Sequence, residues 1–224
     1  YSDSTQGALL LEPQRTNLIT YSNDFSVASW FKEKGGLGSV PLVTSNQGVS
    51  PSGVMDADKI VFDLNGGTLS SDLSQLRFSL SPLSGDYSNS VYLKSFDGNS
   101  YDITILTATG SIRAATVTNE WKRFSYYNGG GTTSANPFRM RLRGNESTSD
   151  SATLLIYGAQ LEQSSYSTSL IPTDGAIATR NQEICNNATP EINSEEGVLY
   201  AEIAALGLGA SASLGLSDGS GANR

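Results

Sequence analysis

The stretch SATLLIYGAQLE, residues 151–162, decides the fold of this chain. It combines β-branched, aliphatic and aromatic residues, and it contains neither proline nor a run of charged residues, which is the composition of a β-strand. It is too short, and too polar at both ends, to span a membrane as a helix. We therefore predict that it is the central closing strand of a β-sandwich, beside which shorter strands pack.

The residues before this stretch alternate between apolar and polar side chains in short runs. Turn signals such as Asn65-Gly66 and Asp97-Gly98 separate the runs, which recur about every 8–12 residues. Asn65-Gly66 is a hairpin signal, and we expect Trp30 and Phe31 to anchor a loop on the core. No segment has a helical period of useful length. The pattern predicts an all-β fold, a β-sandwich of the jelly-roll type.

The chain divides into four regions by composition. We expect a linker and short strand at residues 1–12 and the jelly roll at 13–170. Residues 171–194 are rich in polar and acidic side chains and are predicted to be a linker. Residues 195–224 contain two further strand-like runs. Because two strands are not stable alone, they belong either to an incomplete second β domain or to a tail exchanged between chains.

Composition excludes several classes of function. The 224 residues carry a net charge of −8, which argues against non-specific nucleic-acid binding and against anionic membranes. No histidine is present, which excludes Ser-His-Asp and Cys-His catalysis and histidine-ligated zinc. A single cysteine, Cys185, cannot form an internal disulfide, so the fold depends on its core or on oligomerisation.

The candidate ligand-binding residues are those that suit a sugar ring, which offers C–H patches to aromatic faces and paired hydroxyls to planar polar groups. Arg139, Arg141 and Arg143 alternate along one strand, so they share a face at spacings of about 7 Å. Arginine suits planar anions, which favours an anionic glycan. The alternative is that the arginines pair with sheet neighbours or with another subunit. The predicted binding residues are Tyr92, Lys94, Tyr126, Tyr127, Arg139, Arg141 and Arg143.

Motifs at both ends of the jelly-roll region resemble a module of phage tail, spike and head-fibre proteins. The first comprises LLLEPQRTNL at residues 9–18, YSNDF at 21–25, and Trp30. The second comprises IYGAQLE at 156–162, YSTSLIPT at 166–173, and ATR at 178–180. This module is similar to the carbohydrate-binding jelly rolls attached to glycanases. Residues 195–223 resemble the start of a concanavalin-like or laminin-G-like domain.

The resemblance implies a non-catalytic module at the virion surface, in a spike, fibre or tail, that binds host-surface glycan. It implies other virion subunits as partners and a homo-oligomer, without nucleic acid or membrane insertion. Two alternatives remain: a purely structural virion subunit-contact module, or an accessory carbohydrate-binding module of a secreted, extracellular bacterial glycanase. Paired carboxylates can cleave glycosides without histidine. Since no acid lies in a recognisable motif, we expect no enzyme activity.

A structural calcium is the one cofactor that the resemblance raises. The related jelly rolls often hold calcium with an acidic residue near the first strand and an aspartate in the last. Here Ser26 follows Phe25, and Tyr157-Gly158 stand where the aspartate would lie. We therefore expect no cofactor. The remaining metal candidates, which are alternatively solvated loop acids, are Asp24, Asp56 and Asp58.

Overall fold

The computed structural model of the protein describes residues 12–146 and 148–183. Those residues form twelve strands and no helix. No helix in these two ranges is long and apolar enough to cross a membrane. The strands are β1 Arg15–Asn17, β2 Trp30–Gly35, β3 Leu42–Gly48, β4 Ala57–Asp63, β5 Leu73–Phe78, β6 Tyr87–Ser95, β7 Tyr101–Leu106, β8 Ile112–Val117, β9 Lys122–Asn128, β10 Phe138–Arg143, β11 Ser151–Glu162 and β12 Ala178–Arg180.

Two five-stranded antiparallel sheets pack face to face. Sheet I has the strand order β2-β5-β10-β7-β8, and sheet II has the order β3-β4-β11-β6-β9. A two-stranded sheet pairs β1 with β12. The prediction of an all-β jelly-roll sandwich is confirmed.

Strand β11 lies at the centre of sheet II, as the sequence predicts. It pairs with β4 on one side and with β6 on the other. Its register to β6 shifts between Tyr157 and Gln160, and the intervening Gly158 has a φ of 65°. A bulge with glycine in the left-handed region bends the strand and lets one residue escape the pairing. Almost the whole strand is buried, which fits its central position.

The core lies between the inward faces of the two sheets, where alternate residues of each strand meet. Sheet II contributes Ile60 and Phe62, neither of which is exposed, and sheet I contributes Trp30 at 1% exposure. The indole of Trp30 lies 5.3 Å from the ring of Phe78 and 5.4 Å from that of Phe138, in edge-on geometry. Such pairs add about 0.5–1.5 kcal/mol beyond the area they bury. Trp30 is therefore a core anchor, as the sequence suggests.

Two local expectations differ from the structure. Trp30 and Phe31 were expected to hold a loop against the core, but they begin strand β2. The run WFKEKG contains three charged residues. Because charged residues are rare in strands, the sequence does not indicate a strand here. Asn65 and Gly66 do form a turn, with φ angles of 51° and 76°. It joins β4 of sheet II to β5 of sheet I, so it does not close a hairpin.

Residues 171–183, which we expected to be linker, instead pack on the sandwich. Ile171 and Thr173 are 5% and 8% exposed, and Ala178–Arg180 form β12. The buried Asn17 donates from its amide to the carbonyls of Ala159 and Ile171. These hydrogen bonds satisfy backbone groups that would otherwise be buried without partners.

All described residues fall within one unit, Tyr1–Asn186; the second unit is Asn187–Arg224. The linker at residues 1–11, the rest of the linker to 194, and the expected second β domain at 195–224 lie outside the described residues.

Candidate functional site

The seven predicted binding residues do not share one surface. The three arginines lie on β10 in sheet I, whereas Tyr92 and Lys94 lie on β6 in sheet II. This corrects the expectation of a single combined face. The cause is strand order: alternation shows which side chains share a face of one strand, but not which strands share a sheet.

Tyr92 of sheet II is packed against its neighbours rather than presented to solvent. The ring of Tyr92 lies 6.3 Å from that of Tyr157, and the guanidinium of Arg123 covers it at 5.4 Å. Trp121 and Leu170 pack against the same cluster. These neighbours occupy the aromatic faces that a sugar would need.

The two tyrosines of β9 point to opposite sides of the strand. Tyr126 packs against the core, and its hydroxyl contacts the carbonyl of Ala114 in sheet I. Burial raises the pKa of Tyr126. Tyr127 is 44% exposed, and partial burial together with Asp86 raises its pKa. Only Tyr127 of this pair is presented to solvent.

The outer face of sheet I carries an ordered line of side chains across all five strands, which we call the Arg139 row. Strand register places its members opposite one another in turn. At about 4.8 Å per strand, the row spans about 19 Å. Both ends are apolar and exposed: Phe31 at 44% and Ile112 at 52%. The row consists of Phe31, Arg77, Arg139, Leu106 and Ile112.

Arg77 is held in place by its neighbours. Its guanidinium donates to Glu33 at 2.5 Å and to Asn136 at 2.7 Å, and it covers the ring of Phe31 at 4.4 Å. The hydrogen bond from Arg77 is the main cause of the lowered pKa of Glu33. The charge of Glu33 is thus stabilised in the fold, and Phe31 rests against a fixed cation.

Two of the three predicted arginines also have partners. Arg141 forms a two-pronged pair with Glu146, with Nε 2.9 Å from Oε2, and both side chains are less than one-tenth exposed. Arg143 donates to the carbonyl of Ser70 at 2.6 Å and lies 4.0 Å from Glu146. For these two residues the structure shows the intramolecular pairing that we gave as the alternative.

Arg139 differs from both. In residues 12–146 and 148–183 no hydrogen bond or ion pair to Arg139 is found, and its Nε is buried without a partner. The pKa of Arg139 is lowered, first by burial and then by the nearby charges of Arg141, Arg77 and Arg143. Attraction to Glu146 opposes this lowering, and Arg139 in turn helps to lower the pKa of Glu33. A half-buried guanidinium that is close to three like charges, and that has no direct partner among the described residues, is nevertheless costly for the fold.

The three metal candidates line one pocket at the edge of the sandwich. Asp24, Asp56 and Asp58 surround a cavity of about 530 Å³, together with Asp174. Asp58 is 1% exposed, and its two oxygens accept from the backbone N–H groups of Phe25 and Asn46. Burial is the main cause of the raised pKa of Asp58.

The pocket does not present a formed metal cage. Within the described ranges no three acidic, cysteine or histidine residues lie close enough to share a metal ion. Several of the oxygens are also engaged within the fold: those of Asp58 accept from backbone groups, and Oδ1 of Asp24 accepts from Ser26. Oδ1 of Asp56 is buried and has no hydrogen-bond partner among the residues that the structure describes.

Sequence reasoning missed Phe31, Glu33 and Arg77, which complete the outer face of sheet I. Phe31 and Glu33 alternate outward on β2, and Arg77 alternates outward on β5. That alternation is a readable signal once β2 is recognised as a strand. The pairing of Arg77 with Arg139 across β5 and β10 requires the strand order, which the sequence does not show.

No protein-family model matches this chain, and no curated protein matches it. Solved structures do show similarity. The family 11 carbohydrate-binding module of Clostridium thermocellum, in complex with a mixed-linked tetrasaccharide, has 12% identity and a TM-score of 0.40 over 71% of this chain and 97% of its own. The xylan-binding CBM22-1 domain of Xyn10C from Paenibacillus barcinonensis has 14% identity and a TM-score of 0.35, covering 65% of this chain and 90% of its own.

A phage protein is also similar. The enzymatically active domain of tailspike protein 4 of bacteriophage CBA120 has 10% identity and a TM-score of 0.38. The similarity covers 65% of this chain but only 21% of the tailspike chain. The structural neighbours are therefore carbohydrate-binding modules and a phage tailspike domain. At these identities and scores we draw no functional conclusion from them.

Proposed function

We propose that the chain is a non-catalytic module of a virion-surface spike, fibre or tail, and that it binds host-surface glycan on the outer face of sheet I. The observation that carries the proposal is the Arg139 row. It combines an exposed aromatic ring, the fixed guanidinium of Arg77 and the guanidinium of Arg139 on one sheet. The end motifs described above support the location on a virion.

Phe31 is the residue best suited to contact a sugar ring. Its ring is 44% exposed, while Arg77 covers it at 4.4 Å and is itself held by Glu33. A ring held by its neighbours loses little conformational freedom when a ligand packs on it. The apolar C–H patch of a pyranose can therefore bind at a low entropic cost.

The acids of this face support a binding role over a catalytic one. Glycoside cleavage needs one carboxyl group that is protonated near neutral pH, and therefore has a raised pKa. Glu33 has a lowered pKa because it accepts from Arg77. Glu146 is buried against Arg141. Glu33 and Glu146 are thus engaged in holding arginines, and the third acid of this face, Asp102, accepts from the hydroxyl of Thr116 at 2.6 Å.

The test compares two phenylalanines of equal exposure. Phe31 and Phe96 are both 44% exposed, and each has a cation over its ring, Arg77 and Lys59 respectively. Phe96 lies just beyond β6 of sheet II, so it serves as the matched control.

We expect Phe31→Ala to weaken retention in affinity gels containing host envelope polysaccharides about 10-fold, which corresponds to about 1.4 kcal/mol. Phe96→Ala should leave retention within about twofold, since loss of a distant ring does not change the ligand contacts. Equal losses in both variants would exclude this face. A reducing-end assay on the same polysaccharides should show no cleavage.

A second candidate, contact between subunits, is favoured by exposed aliphatic side chains at one end of the sandwich. Leu37 and Leu69 are 62% and 65% exposed, and their N–H groups both donate to the carboxylate of Asp72. Leu42, 64% exposed, begins the edge strand β3. Exposed aliphatic side chains of this kind suit contact with a second copy of the chain.

Light scattering coupled to size exclusion tests this candidate. An oligomer that dissociates in the Leu37→Ser, Leu69→Ser double variant would support it. A wild-type monomer at high concentration would contradict it.

A further inference from the structure

The geometry points to an acidic glycan as the ligand, with Arg139 binding its carboxylate or sulfate group. This inference rests on the proposed function, because it names the chemistry of the ligand for the same face.

The first argument is the distribution of charge. The side chains that we place on the outer face of sheet I include four arginines, at positions 77, 139, 141 and 143, and three acids, Glu33, Asp102 and Glu146. They leave one positive charge in excess, on a chain whose net charge is −8. A cationic spot attracts an anion from solution, whereas the net negative charge of the rest of the protein repels other anionic surfaces.

The second argument is that Arg139 is the one of these four arginines that has no ion pair in the described part of the chain. Glu33 is committed to Arg77, and Glu146 is committed to Arg141 and Arg143. Among the described residues Arg139 has no ion pair, although two-pronged pairing with a carboxylate is what a guanidinium does best. An external carboxylate or sulfate would supply the missing partner.

The third argument is access. Within the described ranges, Nε of Arg139 is buried and has no hydrogen-bond partner. Neither of the two terminal nitrogens is buried without a partner. Nη2 lies close to Gly110; the Cβ of any other residue there would be 2.9 Å from it. Gly110 has a φ of 97°. A glycine at this turn keeps the end of the guanidinium clear of side chains.

The fourth argument is the position of the aromatic ring. Phe31 and Arg139 are two strands apart in the same row, which is about 10 Å. A free inorganic anion would use the cation alone. A polysaccharide that carries acidic groups can place one sugar on Phe31 and an anionic group on Arg139.

The experiment uses pairs of polymers that differ only in charge. One pair is polygalacturonate and its fully methyl-esterified form, and the other is dextran sulfate and dextran. The first pair reports on carboxylate and the second on sulfate. The full chain is compared with Arg139→Gln, and with Arg113→Gln as control. Arg113 is an exposed arginine on β8, next to Ile112 of the row but alternating to the other side of the strand.

We expect wild-type protein to be retained by at least one acidic polymer and not by its neutral counterpart. Arg139→Gln should weaken that retention at least 10-fold, and Arg113→Gln should change it less than twofold although the net charge falls equally. Arg139→Lys should recover only part of the loss, since lysine lacks the fork of a guanidinium. Because Arg139 has no direct partner to lose among the described residues, its variants should melt at or above the wild-type temperature.

The outcomes separate the two claims. Retention of acidic and neutral polymers alike, or equal losses in Arg139→Gln and Arg113→Gln, would overturn the acidic ligand. If Phe31→Ala still weakened retention in that case, the binding face would stand. Failure of wild-type protein to bind either acidic polymer would overturn the inference, and failure to bind any glycan would overturn the proposed function as well.

Discussion

The ion pair between Arg141 and Glu146 allows a sharp test of how the outer face of sheet I is held together. Their side chains are 7% and 8% exposed, and they meet through two hydrogen bonds, one of 2.9 Å between Nε and Oε2. Glu146→Gln keeps the size of the side chain and one carbonyl oxygen but removes its charge. Arg141 would then be a buried cation without a counter-charge.

Removing one member of a buried pair costs about 3–5 kcal/mol. We expect the lower end, about 3 kcal/mol, because the glutamine oxygen retains one hydrogen bond. Glu33→Gln is the matched control: the pair of Glu33 with Arg77 has side-chain exposures of 37% and 20%. Solvent screens that pair more strongly, so its loss should cost about 1 kcal/mol or less.

Urea unfolding at pH 7 measures both variants on one scale. A loss of about 3 kcal/mol in Glu146→Gln should lower the melting temperature by about 6–12 °C in a domain of this size. The double variant Arg141→Met, Glu146→Met should recover most of the loss, since no buried charge remains. A Glu146→Gln variant within 1 kcal/mol of wild type, or no different from Glu33→Gln, would refute the argument.

Three further perturbations test other parts of the fold. Arg139→Met should leave the free energy of unfolding unchanged or raise it by about 1 kcal/mol, because it removes a half-buried cation that has no partner in the described residues; a loss above 1 kcal/mol in urea unfolding would contradict this. Tyr101→Phe should raise the pKa of Asp97 from about 2 toward 3.8, because the phenol donates to its carboxylate at 2.5 Å. The depressed pKa of Asp97 makes its contribution to stability complete above about pH 4 and lost as the pH falls to about 2, and NMR titration of the carboxyl carbon measures the shift. Gly158→Ala should destabilise the protein by about 2 kcal/mol or more, since φ is 65° and the new Cβ would lie 2.9 Å from Leu170; melting curves would show it.

Residues 151–162 and the alternating runs before them were sufficient to predict the fold class. They could do so because side-chain period and turn chemistry are local properties of the chain. Strand β2 was missed for the same reason. Lys32 is a partly buried lysine whose amino group donates to the carbonyls of Ser26 and Val27. From the sequence alone, a lysine of this kind is expected to be solvent-exposed, because its hydrogen bonds to backbone carbonyls cannot be predicted.

The candidate site was predicted only in part because it depends on pairing between strands distant in the chain. The alternation of residues 138–143 placed three arginines on one face, as found. The sequence could not show that Glu146 reaches back to Arg141, nor that Phe31 and Arg77 stand in line with Arg139. Those contacts follow from register and sheet order, which are set by tertiary packing.

The two outer faces of the sandwich differ in a way that bears on function. On sheet II the bulge at Gly158 lets Leu170 pack against the sheet, and Tyr92 is covered by Arg123. On sheet I, Arg139 has no ion pair in the part of the chain that the structure describes, whereas its neighbours Arg77 and Arg141 are both paired. Selection for stability alone would favour an apolar residue at this position. Binding sites, in contrast, often retain destabilising groups because function requires them. A variant at Arg139 that gains stability while it loses binding to an acidic polymer would show this trade-off directly. A variant that loses stability and retains binding would assign Arg139 to the fold instead.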